Sequence, residues 1–460
     1  IRDLTQTYQQ QAQNVQFALI SGAGFQALMN RYDPPVQVTY DDIKIAKEGD
    51  SETIAQVSQT LNSVPSDQVF DFLIDQADKL GASDIHIENQ RNDIRIRMRI
   101  DGALHPVAIL DNDRYRVLLA ALASRASIST AATAPQSGHL QKDISYNGES
   151  RVLNMRIESI PTMYGQDAVI RLFNYDESML HLDRLGIPAR ERQQIDEIIS
   201  HPRGMVLMVG PTGSGKSTTL YSMINALNDS GRKIITLEDP IEFSVPGIAQ
   251  VSVDTTNGQS FADYLRSVMR LDPDVVMVGE VRDADTAKTA IQASITGHLV
   301  LSTFHANSTA AAFSRMIDLI GTNPIFSTAI RLLIAQRLVR RLDDTTKEAY
   351  EPDEATKQWI RDALKDLPAH VERPNLDNFQ LWRPVASEAS PFGYSGRTVI
   401  MEQLAVNEEI QKFIRGDVGD VHTESIEAAA RKAGMTTLLE NGVLAVLRGE
   451  TTLDEINRVI

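Results

Sequence analysis

The nine residues GPTGSGKST, Gly210 to Thr218, combine three glycines, a lysine and neighbouring hydroxyls in the spacing G-x-x-x-x-G-K-[ST]. Those types at that spacing suit a polyphosphate. Gly210, Gly213 and Gly215 let main-chain N–H groups converge on an anion, and a helix opening at the lysine adds positive potential. Pro211, Thr212, Ser214 and Thr218 complete the loop. Lys216 would reach the β- and γ-phosphates and the Ser217 hydroxyl would ligate Mg²⁺, so ATP and Mg²⁺ are the expected cofactors. Carboxylates follow downstream. LEDPIE holds Glu238, Asp239 and Glu242 around a proline, and DPDVVMVGE ends an apolar run on Glu280. Glu242 is read as general base and Glu280 as the Mg²⁺-side carboxylate, with the reverse assignment also open; Glu238 belongs to the same acidic cluster. His305, ending the run GHLVLSTFHAN, suits a γ-phosphate sensor, because no H-x₃-H spacing marks a metal pair. His298 in the same run stays open between surface and site.

Such groups need strands to deliver them. MVLMVG, KIITLED, DVVMVGE and HLVLSTFHA are short apolar runs separated by helical segments. This alternation predicts an α/β fold with a parallel sheet whose functional groups sit at the strand C-terminal ends. After the glycine-rich loop, Leu220, Met223, Ile224 and Leu227 share a helical face. Upstream the pattern differs. Val69, Phe70, Leu73, Ile74, Ala77 and Leu80 repeat at helical spacing, then Ile85 and Ile87, and Ile94, Ile96, Met98 and Ile100, alternate with polar residues around a turn at Gln90 to Asn92. With a helix over Arg114 to Ser127 and strands at Val152 to Ile157 and Asp167 to Phe173, residues 61–178 read as an α+β domain. Residues 1–60 read as a helical piece or linker. A charged connector, Asn174 to Arg192, leads into residues 179–460. Within these, 343–392 is acidic and proline-interrupted, and 400–460 is helical through Ile426 to Ala433, Leu438 to Leu447 and Leu453 to Val459.

At 460 residues the chain exceeds one core and suggests about three domains. Its 61 acidic against 45 basic residues, a net charge of −16, argue against a nucleic-acid groove along the whole chain. The absence of Cys excludes disulfides and thiolate metal sites and fits a reducing compartment. The apolar stretches Val117 to Ala123 and Ile325 to Val339 fall short of the roughly 20 residues of a bilayer span, or are broken by Arg331 and Arg337. The opening IRDLTQTYQQQ has neither an initiator Met nor a basic-then-apolar pattern, so a processed or truncated start and a cytosolic protein are expected. Arg95, Arg97 and Arg99 lie on one strand face, a spacing open to a phosphate or nucleic-acid patch; the lack of interleaved aromatics and the acidic residues nearby, which suggest ion pairing, favour subunit-contact or ring-facing structure.

Taken together, GPTGSGKST, ITLEDPIE, LRSVMRLDPDVVMVGEVRDADTAKTAIQASITGHLVLSTFHAN and IAQRLVRRL resemble the secretion ATPase superfamily, above all the type IV pilus assembly and type II secretion ATPases. ASDIHIE, RMRIDG and IPTMYGQDAVIRL resemble that family's second N-terminal domain, and the order is kept from Pro65 onward. The resemblance implies a RecA-like P-loop ATPase domain after a smaller α+β domain, in a homohexamer with ATP sites between the two. It also implies two arginines near the nucleotide, matching Arg156 in NMRIES and Arg171 in VIRLF, where a planar guanidinium offsets charge developing during transfer. Departures from the family pattern are PQSGH at Pro135 to His139 for PQDGR, Gln166 for the acid after Gly165, Leu271 within RLDPD, and Asp285 within RDADT. None touches the loop, Glu242, Glu280 or His305, so hydrolysis is expected to survive while inter-domain contacts differ.

The implied activity is hydrolysis of ATP to ADP and phosphate by a cytoplasmic motor, peripheral at the inner face of the cytoplasmic membrane. Its implied partners are an inner-membrane platform protein and a cytosolic adaptor, with no nucleic acid. Retraction ATPases lack an extended insertion between a QRL helix and the GY-x-GR loop; here Asp343 to Phe392 intervenes, favouring assembly or secretion. A nucleic-acid translocase would share the P-loop, but the net charge and the EDPIE and GEVRD boxes count against it. An ATP-binding scaffold without hydrolysis is opposed by the intact carboxylates and arginines. In assembly and secretion ATPases, two C-x₂-C pairs flank the insertion and bind a structural zinc. Here Asp343 and Thr346, then Ser387 and Ser390, take those positions. No zinc is expected, and packing of Trp359, Leu364, Leu367 and Trp382 is expected to hold the insertion.

Overall fold

A computed structural model describes residues 51–460, apart from 66–67, 147–148, 174–179, 255–257, 388–389, 391 and 420, together with Ser21 and Phe25. The piece expected over 1–60 therefore lies almost wholly outside the described residues before Ser51, as does part of the connector after Asn174. The described residues from Ser51 onward belong to one compact unit.

Its first lobe is built on period-two alternation. Strands β1 (Ala82–Asn89), β2 (Ile94–Ile100), β3 (Ala103–Leu110), β4 (Gln136–Tyr146), β5 (Glu149–Pro161) and β6 (Gln166–Phe173) form a sheet in the order β3-β2-β1-β6-β5-β4 with antiparallel neighbours. Ile85, Ile87, Ile94, Ile96, Met98, Ile157 and Ile170 bury one face. Helices α1 (Ser51–Ser63), α2 (Val69–Lys79) and α3 (Asn112–Ala126) accompany the sheet. Two strands escape a sequence reading: β3 contains Pro106, and β4, QSGHLQKDISY, is too polar to display a period. The domain start at 61 needs correction. It cuts through α1, which is fastened to the sheet: Ile109 N–H donates to Ser58 Oγ (2.9 Å) and Arg114 donates to the carbonyls of Leu61 (2.9 Å) and Val64 (2.6 Å). The ion pairing expected of the β2 arginines is present at Arg97, which meets Glu88, and at Arg99, 3.8 Å from Asp84.

The second lobe runs α4 (Ala189–Ile199), β7 (Gly204–Val209), α5 (Lys216–Leu227), β8 (Ile234–Glu238), β9 (Ala249–Ser252), α6 (Phe261–Val268), β10 (Val275–Val278), α7 (Ala284–Ile295), β11 (Leu299–Phe304), α8 (Thr309–Ile320) and β12 (Ile330–Leu342). The insertion follows with β13 (Glu348–Tyr350), α9 (Glu354–Ala363) and β14 (Leu381–Arg383). Then come β15 (Tyr394–Ala405), α10 (Glu408–Arg415), α11 (Thr423–Lys432), α12 (Leu438–Leu447) and α13 (Leu453–Val459). The sheet order is β15-β12-β7-β11-β10-β8-β9, parallel from β12 to β9, with β15 antiparallel at the edge. Apolar layers cover both faces, which is why MVLMVG and its fellow strands read as unbroken apolar runs. Among the described residues no helix is long and apolar enough to cross a membrane.

The QRL segment corrects an expectation. It is not a helix but the middle of β12, where Ala335 faces Val209 and Gln336 faces Met401. A mixed run such as IRLLIAQRLVRRL fits either period, and the sheet partners decide. Residues 400–405 are likewise strand rather than part of the final helices. In the insertion, Leu364 and Leu367 are buried as expected, joined by Ile360 and Leu381, whereas Trp359 is 40% exposed. Trp382 instead lies under the Lys347 ammonium, 5.0 Å from the ring centroid. The cysteine-equivalent positions are tied by hydrogen bonds. Asp343 N–H donates to Gly393 O (3.1 Å) and Thr346 N–H to Asp343 O (3.2 Å). Ser390 N–H donates to Ser387 Oγ (3.0 Å), and Ser390 Oγ donates to Tyr394 O (2.6 Å).

Candidate nucleotide and catalytic site

Strand β7, between β12 and β11 in the interior of the sheet, turns through the glycine-rich loop into α5, so the loop N–H groups and the helix start share one cleft. Two glycines are required sterically. A Cβ on Gly210 would stand 2.6 Å from Ser214 Oγ and 2.9 Å from Gln336 O; one on Gly215 (φ 84°) would stand 2.7 Å from Gln336 Nε2. Gln336 braces the loop from β12: its amide donates to Ser214 O (2.8 Å) and accepts from Thr219 Oγ1 (2.9 Å). Lys216 Nζ donates to the carbonyls of Gly210 and Pro211, both at 2.8 Å. Burial draws its pKa below the usual lysine value, while Glu280 and Glu242 pull the other way.

The carboxylates divide into two kinds. Desolvation by the cleft walls pushes Glu242 above the usual glutamate value although solvent still reaches its side chain, against a hydrogen bond from Ser217 and the nearby charges of Arg171 and Lys216. Glu280 accepts from Arg282 Nε (2.6 Å) on one oxygen and meets His305 Nε2 (3.1 Å) with the other. These two face the loop lysine. Glu238, grouped with them in sequence, is different. Its buried carboxylate is taken up by Tyr221 OH, Thr236 Oγ1 and Gln250 Nε2 (3.2 Å), which ties β8 to α5 at the wall of the cleft that Glu238 also lines. Burial, then the Glu238 charge, raises the Tyr221 pKa. His298 is resolved as structural, its Nδ1 lying 2.9 Å from Ala293 O at the end of α7.

The first lobe closes the cleft. Arg156 on β5 and Arg171 on β6 are directly opposite in the ladder. Arg171 Nε donates to Asp84 Oδ1 (2.9 Å) and Arg156 Nε to Glu158 Oε1 (2.7 Å). A cavity of about 1020 Å³ is lined by these arginines, the loop from Pro211 to Thr218, Glu242, Glu280 and His305. The sequence-derived residues thus meet in one place. Arg99, expected at a subunit contact or facing the ring, also lines it, as do Arg282, Arg337, Arg397 and Arg458, to which the motifs give no role. Arg282 was signalled by its place two residues after Glu280; Arg337 was hidden by reading QRL as a helix. The lobes also touch beside the cleft, through Arg397 and Asp101 (3.8 Å) and a stack of His105 on Phe392 (4.1 Å).

Residues 60–458 match the family described as Type II/IV secretion system protein. Type II secretion system protein E of Xanthomonas campestris pv. campestris is 36% identical over 422 residues, 89% of this chain and 70% of that relative. The type IV pilus assembly ATPase PilB of Thermus thermophilus is 36% identical over 378 residues, 82% of this chain and 41% of PilB. Of solved structures, the Legionella pneumophila ATPase DotB superposes with a TM-score of 0.60 at 22% identity, covering 84% of this chain and 94% of DotB. That likeness bears on the fold, which is RecA-like.

Proposed function

Because this chain belongs to the type II/IV secretion system protein family and is a P-loop ATP hydrolase of secretion and pilus machinery, we propose that it runs as a homohexameric, Mg²⁺-dependent motor assembling type IV pili or a type II pseudopilus. The observation that carries this reading is the cleft, where loop lysine, two carboxylates, His305 and two arginines from the other lobe converge. Lys216 holds the β- and γ-phosphates, Glu242 orients and deprotonates the attacking water, His305 reads the γ-phosphate, and Arg156 and Arg171 offset the charge that develops on it. Ser217 and Glu280 offer the hard oxygen donors that fit Mg²⁺, which neutralises charge on the phosphate oxygens. Phosphate release by the full chain, present with Mg²⁺ and absent with a chelator, tests the site; release unaffected by the chelator sinks it. The partners are an inner-membrane platform protein and its cytosolic adaptor, with the motor peripheral to the membrane, and the insertion over 343–392 supports assembly over retraction. DNA-stimulated hydrolysis would favour a translocase instead.

Arg171→Ala is expected to lower kcat by about tenfold while changing nucleotide affinity less, since a guanidinium aimed at developing charge acts mainly in the transition state. Steady-state phosphate release with a fluorescent-nucleotide titration separates the two; equal losses in both would assign Arg171 to ground-state binding.

The insertion is proposed to hold without zinc, on the Ser387–Ser390 and Asp343–Gly393 hydrogen bonds and the burial of Ile360, Leu364, Leu367 and Leu381. Treatment with a strong chelator is expected to leave the melting temperature unchanged. Stoichiometric zinc by elemental analysis, lost in Ser387→Ala/Ser390→Ala, would overturn this.

A further inference from the structure

Arg337 is 6% exposed, yet among the described residues its guanidinium forms no ion pair. Three main-chain carbonyls from three different places take its donors. Nη1 reaches Gln336 O (3.0 Å) on β12, Nη2 reaches Asn307 O (2.9 Å) just past His305, and Nε reaches Val459 O (2.9 Å) at the end of α13. Nη1 also lies 3.3 Å from where a Gly210 Cβ would be, against the glycine-rich loop, and Arg337 lines the nucleotide cleft. Carbonyl dipoles leave a buried cation without a counter-charge, and a charge so placed gains most from any anion that arrives. The opposing charge it feels is Glu402, and that carboxylate is already engaged by Thr309 N–H (2.8 Å) and Leu438 N–H (3.1 Å). A polyphosphate in the cleft supplies what is missing.

We propose that Arg337 is a positioning residue that reads nucleotide occupancy, moving toward a bound polyphosphate and so altering its hold on the His305–Asn307 loop and on α13. The inference rests on the nucleotide reading of the cleft given above. Helix α13 is well placed to pass the signal on. Arg458, one residue before Val459, lines the cleft and lies 3.9 Å from a Cβ position on Gly102 in the first lobe. Glu455 on the same helix holds Arg340 (2.9 Å) and also Arg458 (2.6 Å). A shift at Val459 therefore bears on the seam between lobes. Its energy source is differential: the two placements of the guanidinium differ in whether an anion is present.

Amide hydrogen exchange on the full chain, with and without saturating Mg²⁺ and a non-hydrolysable ATP analogue, tests this. In the wild type, peptides covering 305–307 and 453–459 are expected to change exchange rate by at least about threefold on adding nucleotide. In Arg337→Gln, which removes the charge and keeps a hydrogen-bonding side chain, nucleotide is expected to bind more weakly by fluorescence titration, and at saturating nucleotide the α13 response is lost. Should that variant fail to fold, Arg337→Lys, which cannot span three carbonyls, gives the same readout. Wild-type protein that binds nucleotide with no response at 453–459, or a folded variant that keeps the full response, overturns the proposal. Wild-type protein that binds no nucleotide overturns the cleft reading itself, and this inference with it.

Discussion

Lys216→Ala is expected to cut ATP turnover by at least about tenfold and to weaken nucleotide binding as well, because one ammonium serves both ground and transition states. The geometry explains the size. Lys216 is buried at the start of α5, with its charge directed back over Gly210 and Pro211 and held below the usual lysine pKa by burial. A bound triphosphate replaces two carbonyl acceptors with anionic oxygens, which form stronger, charge-assisted bonds. Alanine removes that exchange and leaves the two carbonyls without their donor. The loss of turnover must therefore be measured beside a thermal melt. A folded Lys216→Ala protein with wild-type phosphate release would sink the assignment of this loop.

Much of the fold was legible because its signals are local. The parallel strands are buried on both faces, so each reads as an apolar run, and the N-terminal strands read by alternation at Ile94, Ile96, Met98 and Ile100. What failed was decided by partners distant in sequence. IRLLIAQRLVRRL is a strand because β7 and β15 flank it, and nothing in those residues states that. The same holds in the site. Motif spacing located Lys216, Ser217, Glu242, Glu280 and His305, whereas the difference between Glu238 and Glu242 depends on Tyr221 and Gln250 closing over the first of them. Arg337 shares no motif with the loop it adjoins, and its place at the cleft follows from β12 lying beside β7. Trp359, apolar in type, faces out because α9 turns Ile360 inward.

Glu242→Gln should likewise lower turnover by at least about tenfold, with nucleotide binding retained, since a general base acts on the water and not on the phosphate grip. Desolvation raises the Glu242 pKa above the usual glutamate value. A base works deprotonated, so wild-type turnover falls as pH drops through that raised value, earlier than an exposed glutamate would dictate. The variant's residual turnover should lack this acidic limb. Stability carries the opposite sign. A carboxyl whose pKa is raised by folding favours the folded state when protonated, and that contribution is lost as pH rises through the folded pKa. At neutral pH the wild type thus keeps a charge that the cleft disfavours but that solvent reaching Glu242 screens, and Glu242→Gln is expected to melt no lower than wild type while hydrolysing far less. Catalytic groups held against the preference of the fold give this trade of activity for stability. Paired melts and pH–rate profiles decide it: a variant that keeps the acidic limb would move the role of base to Glu280, and one that melts lower at neutral pH would show that the fold favours the Glu242 charge.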